Sequence, residues 1–181
     1  MSKIVRNPEK IVLRKQIKEK INQIPLESQN LQSKIVVEKI LSSDEFKNAK
    51  ALSLGKAVFV PTYSGNFMEM VRIKDWEDYE TLPLTKWNIK QPNLDSSREN
   101  ALEIDAQLDL FLLPGVAFTI KGERLGHGMG YYDKFLTRYF GKFQRNGTKL
   151  YALSFNEQIL DNLPINHNDV LLDKVISPKI N

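Results

Sequence analysis

The chain has 181 residues, 41% hydrophobic and 27% charged, an ordinary globular composition that can bury one core, so a single domain over 1–181 is expected. It carries a net charge of +4 and no cysteine, which excludes disulfides, thiolate metal sites and cysteine nucleophiles. No stretch reaches the ~18 apolar residues of a membrane span and the charged N-terminus lacks an apolar targeting core, so a cytoplasmic protein with no membrane partner is expected.

Asn7 is placed to cap a helix, with Pro8 at its first position, Glu9 in its first turn, and Ile11, Ile17, Ile21 and Ile24 at near-helical spacing. Pro25 interrupts this pattern. Leu31, Ile35, Val36, Ile40 and Leu41 then resume it, which predicts an N-terminal helical hairpin of two antiparallel helices. From residue 51 the periodicity changes to strand-type runs at 51–54, 57–60 and 66–73. Residues 74–92 read as loop; Trp76 and Trp87 could be binding aromatics there, although large apolar side chains are more often core.

The clearest strand is 108–113, where only Asp109 interrupts an apolar run that stops at Pro114-Gly115. A run without a polar face points to burial on both sides, as in the centre of a parallel sheet covered by helices. A helix is predicted over 131–140, with Tyr132, Phe135, Leu136, Tyr139 and Phe140 on one face, followed by strands at 149–155 and 175–177. The expected fold is three-layer α/β, a mostly parallel sheet flanked by helices, with its ligand at the carboxyl ends of the strands.

Between strand and helix lies Arg124-Leu125-Gly126-His127-Gly128-Met129-Gly130-Tyr131-Tyr132-Asp133, with glycine at three alternate positions. Glycine lets a backbone approach a ligand closely and adopt positive φ, so successive N–H groups could converge on phosphate oxygens beside a helix N-terminus. A glycine-rich structural turn is an equal reading of the string alone. Arg124, able to pair with phosphate, and Asp133, able to reach a metal carried by a nucleotide, favour the phosphate site; Asp133 could equally serve only the helix dipole. No Gly-Lys-Ser/Thr follows, and Tyr131 stands where the dinucleotide fingerprint needs a third glycine, so neither a Walker loop nor an NAD site is expected. An RNA-binding reading with Tyr131, Tyr132 and Trp87 as stacking platforms is disfavoured, because the basic residues lie mainly on the N-terminal helices, and no nucleic-acid partner is expected.

Residues 112–118, Leu-Leu-Pro-Gly-Val-Ala-Phe, followed by Gly122, Arg124, Leu125, Gly126, Gly128, Gly130, Tyr131, Tyr132 and Asp133, resemble the signature of the 5-formyltetrahydrofolate cyclo-ligase family, also called 5,10-methenyltetrahydrofolate synthetases. Lys10 to Arg14 resembles the family's Lys-x-x-Leu-Arg element. Met70-Val71-Arg72-Ile73 and Trp87-Asn88-Ile89 with Pro92 resemble its eukaryotic middle region, and Leu163-Pro164, Asn168-Asp169 and Asp173 its C-terminal motif. The resemblance implies an ATP- and Mg2+-dependent ring closure: the formyl oxygen of 5-formyltetrahydrofolate is phosphorylated, N10 attacks the activated carbon, and phosphate leaves to give 5,10-methenyltetrahydrofolate with ADP. It implies that Lys10, Arg14, Arg124, Leu125, Gly126, His127, Gly128, Met129, Gly130, Tyr131 and Tyr132 hold ATP and that Asp133 and Asp169 bind magnesium. It further implies that His127, Gly128, Met129, Gly130 and Tyr131, with Trp87 and Tyr63, face the folate, polyglutamylated or not, and that Arg124, His127 and Tyr131 serve catalysis in a monomer. Without the resemblance, Lys10 and Arg14 read as an exposed helix face, Asp169 as a turn carboxylate, and His127 and His167 as exposed histidines.

Two features depart from the family pattern. Gly55-Lys56 alone separates the run 51–54 from 57–60, where the family has a loop and a helix that contribute folate contacts. Parallel strands need a crossover of roughly a dozen residues or more, so two residues permit only a hairpin or one bent strand. A truncated splice form, an erroneous gene model or a reduced paralogue would each read this way, and the alternative function is a catalytically impaired relative that binds nucleotide without turnover. Met129 stands where eukaryotic members often have lysine, and Thr119 where aspartate is common.

Overall fold

The computed structural model describes residues 7–49, 57–85, 88–93, 97–105, 107–166 and 169–180. In chain order these form α1 (Pro8–Asn22), α2 (Leu26–Ser42), α3 (Asp44–Asn48), β1 (Val58–Ser64), β2 (Phe67–Ile73), α4 (Trp76–Glu80), β3 (Leu110–Leu112), β4 (Ala117–Phe118), β5 (Arg124–Leu125), α5 (Tyr131–Lys142), β6 (Lys149–Leu153) and β7 (Lys174–Ile176). The class is the expected one, α/β with a mostly parallel sheet and helices. The run 51–54 and the Gly55-Lys56 junction lie outside the described residues. The chain divides into two compact units, Met1–Ser43 with Phe111–Gly130 and Lys149–Asn181, and Asp44–Leu110 with Tyr131–Thr148.

In the first unit α1 starts as expected: the Asn7 side chain accepts the Glu9 N–H at 2.9 Å and Pro8 follows it, satisfying one orphan donor of the first turn. Its buried stripe is Leu13, Ile17 and Ile21, which pack with Val116, Ala117, Leu125 and Leu163; Ile11, expected on this face, is exposed. The stripe turns away from Ile11 because Lys10 is also buried, so the inward face runs through residues 10, 13, 14 and 17. In α2 the buried row is Gln32, Val36 and Ile40, while Leu31 and Leu41 are exposed. Gln32 earns burial by accepting the Asn156 N–H and donating to Glu157.

The sheet of this unit has the order β3-β6-β7. Strands β6 and β7 pair in parallel, with Ala152 opposite Val175, and the Leu113 N–H donates to Tyr151 O at 2.8 Å beside β3. Leu108, Leu110, Phe111 and Leu113 are buried, as the 108–113 run predicts, and Leu150, Tyr151 and Ala152 are consecutively buried in β6. The segment after Pro114-Gly115, read as loop, contains the antiparallel pair β4 and β5, with Ala117 opposite Leu125 and Phe118 opposite Arg124. The connecting turn is closed by Thr119, whose backbone exchanges hydrogen bonds with Glu123 and Gly122 and whose hydroxyl accepts the Glu123 N–H at 3.2 Å. That gives the fully buried Thr119 a structural role an aspartate could also fill.

In the second unit β1 and β2 form one antiparallel hairpin, from Val58 opposite Ile73 to Ser64 opposite Phe67, around a two-residue Gly65-Asn66 turn in which Gly65 has φ 56°. Helix α5 packs on β2, where Arg138 pairs with Glu69 at 2.6 Å, and the buried Tyr139 hydroxyl accepts the Leu108 N–H at 2.6 Å. The loop expected over 74–92 contains α4, capped by Asp75, whose side chain accepts the Asp78 N–H. Arg98 grips Asp78 through both guanidinium nitrogens at 2.6 Å, holding that carboxyl well below the usual carboxylate range. Trp76, weighed as core, is 70% exposed and lies against Tyr79, because a five-residue helix has too little face to bury it.

Candidate active site

Strand β5 delivers the glycine segment, and two glycines show why the chain needs that residue here. At Gly122 φ is 87° and an added Cβ would stand 2.2 Å from Leu172 O, whose residue also donates its N–H to Gly122 O at 2.8 Å. At Gly128 φ is 113° and an added Cβ would meet the Arg14 guanidinium at 3.6 Å. Helix α1 lies along this loop: Arg14 Nε donates to Gly126 O at 2.8 Å, joining residues 112 apart in sequence. Arg14 is thus a clasp on the loop and not an exposed helix residue.

One turn earlier on α1, the Lys10 ammonium is 2.6 Å from Asp169 Oδ2, with side chains only 9% and 21% exposed. The same oxygen accepts the Asn166 N–H at 2.7 Å. Both simple readings therefore need correction, since Lys10 is buried and Asp169 is an ion-pair partner as well as a turn carboxylate. Arg124 is also buried, at 8% exposure, and its Nη1 donates to Pro114 O at 3.1 Å.

His127 is exposed on the loop, as its sequence surroundings predict. Partial loss of hydration against the neighbouring protein first, then the charges of Lys18, Arg124 and Arg14, push its pKa below the ordinary 6.5, which favours the neutral imidazole. Lys18 was missed in the sequence. The signal was present, because Lys10, Arg14 and Lys18 recur every fourth residue and so share one helix face.

The remaining sequence candidates lie in the second unit, at the start of α5. The Tyr131 hydroxyl donates to Gly65 O at 2.7 Å, and its ring meets that of Tyr63 with centroids 4.9 Å apart. Burial raises the Tyr63 phenol above its ordinary range, with Tyr132 hydrogen-bonded to it pulling the other way. Asp133 follows in the first turn of α5, where its carbonyl accepts the Thr137 hydroxyl. Trp87, His167 and Asn168 lie outside the described residues. Met129 is exposed on the loop.

The chemistry on this loop suits an anion: Arg14, Lys18 and Arg124 supply positive charge, a neutral imidazole supplies a donor, and a glycine backbone admits close approach. Among the described residues no three of His, Cys, Asp and Glu gather into a metal cluster, and no helix is long and apolar enough to cross a membrane. Magnesium bound with a nucleotide needs only one or two carboxylates, the phosphates and water supplying the rest.

Fold and loop together define an α/β protein with a cation-lined glycine loop. The sequence model of the 5-formyltetrahydrofolate cyclo-ligase family matches residues 49–178. A mouse 5-formyltetrahydrofolate cyclo-ligase is 34% identical, over 97% of each chain, and a Caenorhabditis elegans protein named a probable 5-formyltetrahydrofolate cyclo-ligase is 36% identical, over 91% of this chain and 90% of its own. The solved structure of the Aquifex aeolicus 5,10-methenyltetrahydrofolate synthetase superposes with a TM-score of 0.73 at 25% identity, covering 94% of this chain and 90% of that one. The chain belongs to the 5-formyltetrahydrofolate cyclo-ligase family, and is a ligase by that membership. The mouse alignment runs over 200 positions, more than the 181 residues present here, so the mouse protein has internal residues without a counterpart in this chain.

Proposed function

We propose that the chain closes 5-formyltetrahydrofolate to 5,10-methenyltetrahydrofolate at the expense of ATP, as a cytoplasmic monomer without nucleic-acid partners. The observation that carries the reading is the clasp of Arg14 on the Gly126 carbonyl and against Gly128, beside Lys18 and His127. It gathers cations on a glycine-rich loop, whose backbone can approach a polyphosphate chain closely. Arg14, Lys18 and Arg124 would orient and screen the phosphates, with Lys10 one turn along α1. His127, uncharged, would donate a hydrogen bond to a transferring phosphoryl oxygen, and its closeness to three cations keeps it from competing as a base.

In this reaction the formyl oxygen attacks the terminal phosphorus and ADP leaves; N10 then attacks the activated carbon and phosphate departs. The protein's task is positioning and stabilisation of developing negative charge. In the second unit the rings of Tyr63 and Tyr131, with Tyr132, would offer the folate an aromatic surface. Asp169 in the first unit and Asp133 in the second are the carboxylates proposed to meet magnesium, which would supply charge neutralisation to the phosphates when bound.

The test is to mix protein with 5-formyltetrahydrofolate and Mg-ATP and follow methenyl absorbance. An ATP-dependent rise is expected, and its absence from folded protein would refute turnover. A second reading, a relative that binds nucleotide without turnover, is favoured by the internal residues that the mouse relative has and this chain lacks. Recovery of turnover only after a crossover segment is restored would decide for it.

A further inference from the structure

Between the end of β3 and the start of β4, three successive backbone carbonyls accept hydrogen bonds from side chains. Pro114 O accepts from Arg124 Nη1 at 3.1 Å, and Gly115 O and Val116 O both accept from Gln158 Nε2, at 3.1 and 3.2 Å. Gln158 is buried and uses both ends of its amide, because its Oε1 accepts the Phe155 N–H at 2.9 Å. The turn Asn156–Gln158 that carries it is tied in its own right to α2, where Gln32 Oε1 accepts the Asn156 N–H and Gln32 Nε2 donates to Glu157.

Residue 115 shows why this turn needs a brace. A Cβ there would stand 2.6 Å from the Phe118 ring and 3.2 Å from Arg124 Cγ, so glycine is what fits between the ring and the arginine stem. Glycine also leaves the backbone freest to rotate, and the peptide planes beside it need outside partners to keep one direction. Gln158 is such a partner for carbonyls 115 and 116. The neighbouring carbonyl, that of Pro114, is the one that Arg124 grips, and the same Nη1 lies where a Cβ on Gly126 would be 3.2 Å from it. The bond from the Val116 N–H to Leu125 O fixes the β5 backbone beside Arg124, whereas the guanidinium takes its direction from the turn.

We propose that Gln158 is a positioning residue: by bracing the 114–116 carbonyls it aims the Arg124 guanidinium at the glycine loop, and so raises affinity for phosphate without touching it. The inference rests on the nucleotide reading above and adds to it a residue outside the loop that acts through one member of it.

The experiment is a double-mutant cycle, read by calorimetric binding of a non-hydrolysable ATP analogue with Mg2+ to the wild type, Gln158→Glu, Arg124→Met and the double variant. Glutamate keeps the length of the side chain and the acceptor for the Phe155 N–H but loses both donated bonds, and methionine keeps an apolar stem against Gly115. Gln158→Glu should weaken binding about tenfold when Arg124 is present and less than about twofold when it is methionine. In the ligand-free protein the Arg124 guanidinium NMR signals should shift in Gln158→Glu. Equal losses in the two backgrounds would make Gln158 a core residue that acts independently of Arg124, and unchanged affinity in Gln158→Glu would leave it no role at the site; either result overturns the proposal. Gln158→Met, which buries no carboxylate, carries the same cycle where Gln158→Glu does not fold, and failure of both to fold would confine Gln158 to the core and overturn it too. Wild-type protein that binds no analogue, or an Arg124→Met variant that binds it as tightly as the wild type, would overturn the nucleotide reading of Arg124 itself.

Discussion

The two ends of the segment 124–133 are held by different physics. Up to Gly130 the segment belongs to the first unit and is held by charge: Arg14 bonds Gly126 O, and Lys18, Arg14 and Arg124 act on His127. From Tyr131 it belongs to the second unit and is held by a ring against Tyr63 and by one neutral hydrogen bond to Gly65 O. Charge is directed at an anion and is screened by salt, whereas ring packing is indifferent to salt and suits a flat substrate. One ten-residue motif is thus held by two kinds of contact.

The comparison can be broken hardest at Arg14. Replacing it with alanine removes a charge-assisted bond to the loop and a cation, and should weaken binding of an ATP analogue about 100-fold, which calorimetry would read. Gly122→Ala should cost about 2 kcal/mol of stability or more, because a Cβ at φ 87° meets Leu172 O; thermal unfolding would measure it, and an unchanged midpoint would deny that this turn fixes the loop. On the aromatic side, Tyr131→Phe keeps the ring and loses the Gly65 bond, with an expected loss of about 1 kcal/mol in denaturant unfolding and no change in the salt dependence of nucleotide binding.

The smallest effect is in pH. The folded pKa of His127 is depressed, so below 6.5 the unfolded chain takes up the proton first and the native state loses stability as pH falls through that window. His127→Gln should flatten stability against pH there. Bound polyphosphate should raise the pKa again, which the imidazole NMR signals would show.

How much of this could be read from the sequence differs between the same two regions. Asn7 and Pro8 announced α1, and the apolar run before Pro114-Gly115 announced β3, because local chemistry decides both. The loop's partners could not be read from spacing, since Arg14 and Gly126 meet only through the packing of Ile17 on Val116 and Leu125. Burial of Lys10 likewise follows from Asp169, far along the chain. The hairpin of β1 and β2 is not evident from the separate runs 57–60 and 66–73; Pro61 extends β1 opposite Met70 and is tolerated because, among the described residues, β1 pairs only with β2. The Gly65-Asn66 pair was the available signal.

The central claim is that the loop clasped by α1 receives the phosphates of a nucleotide. Hydrogen exchange, with and without a non-hydrolysable ATP analogue and Mg2+, tests it most directly. The account predicts that protection on binding concentrates in residues 124–130 and in the first half of α1, where phosphate oxygens take up the loop N–H groups. Binding that protects other segments and leaves 124–130 exchanging as before would contradict it.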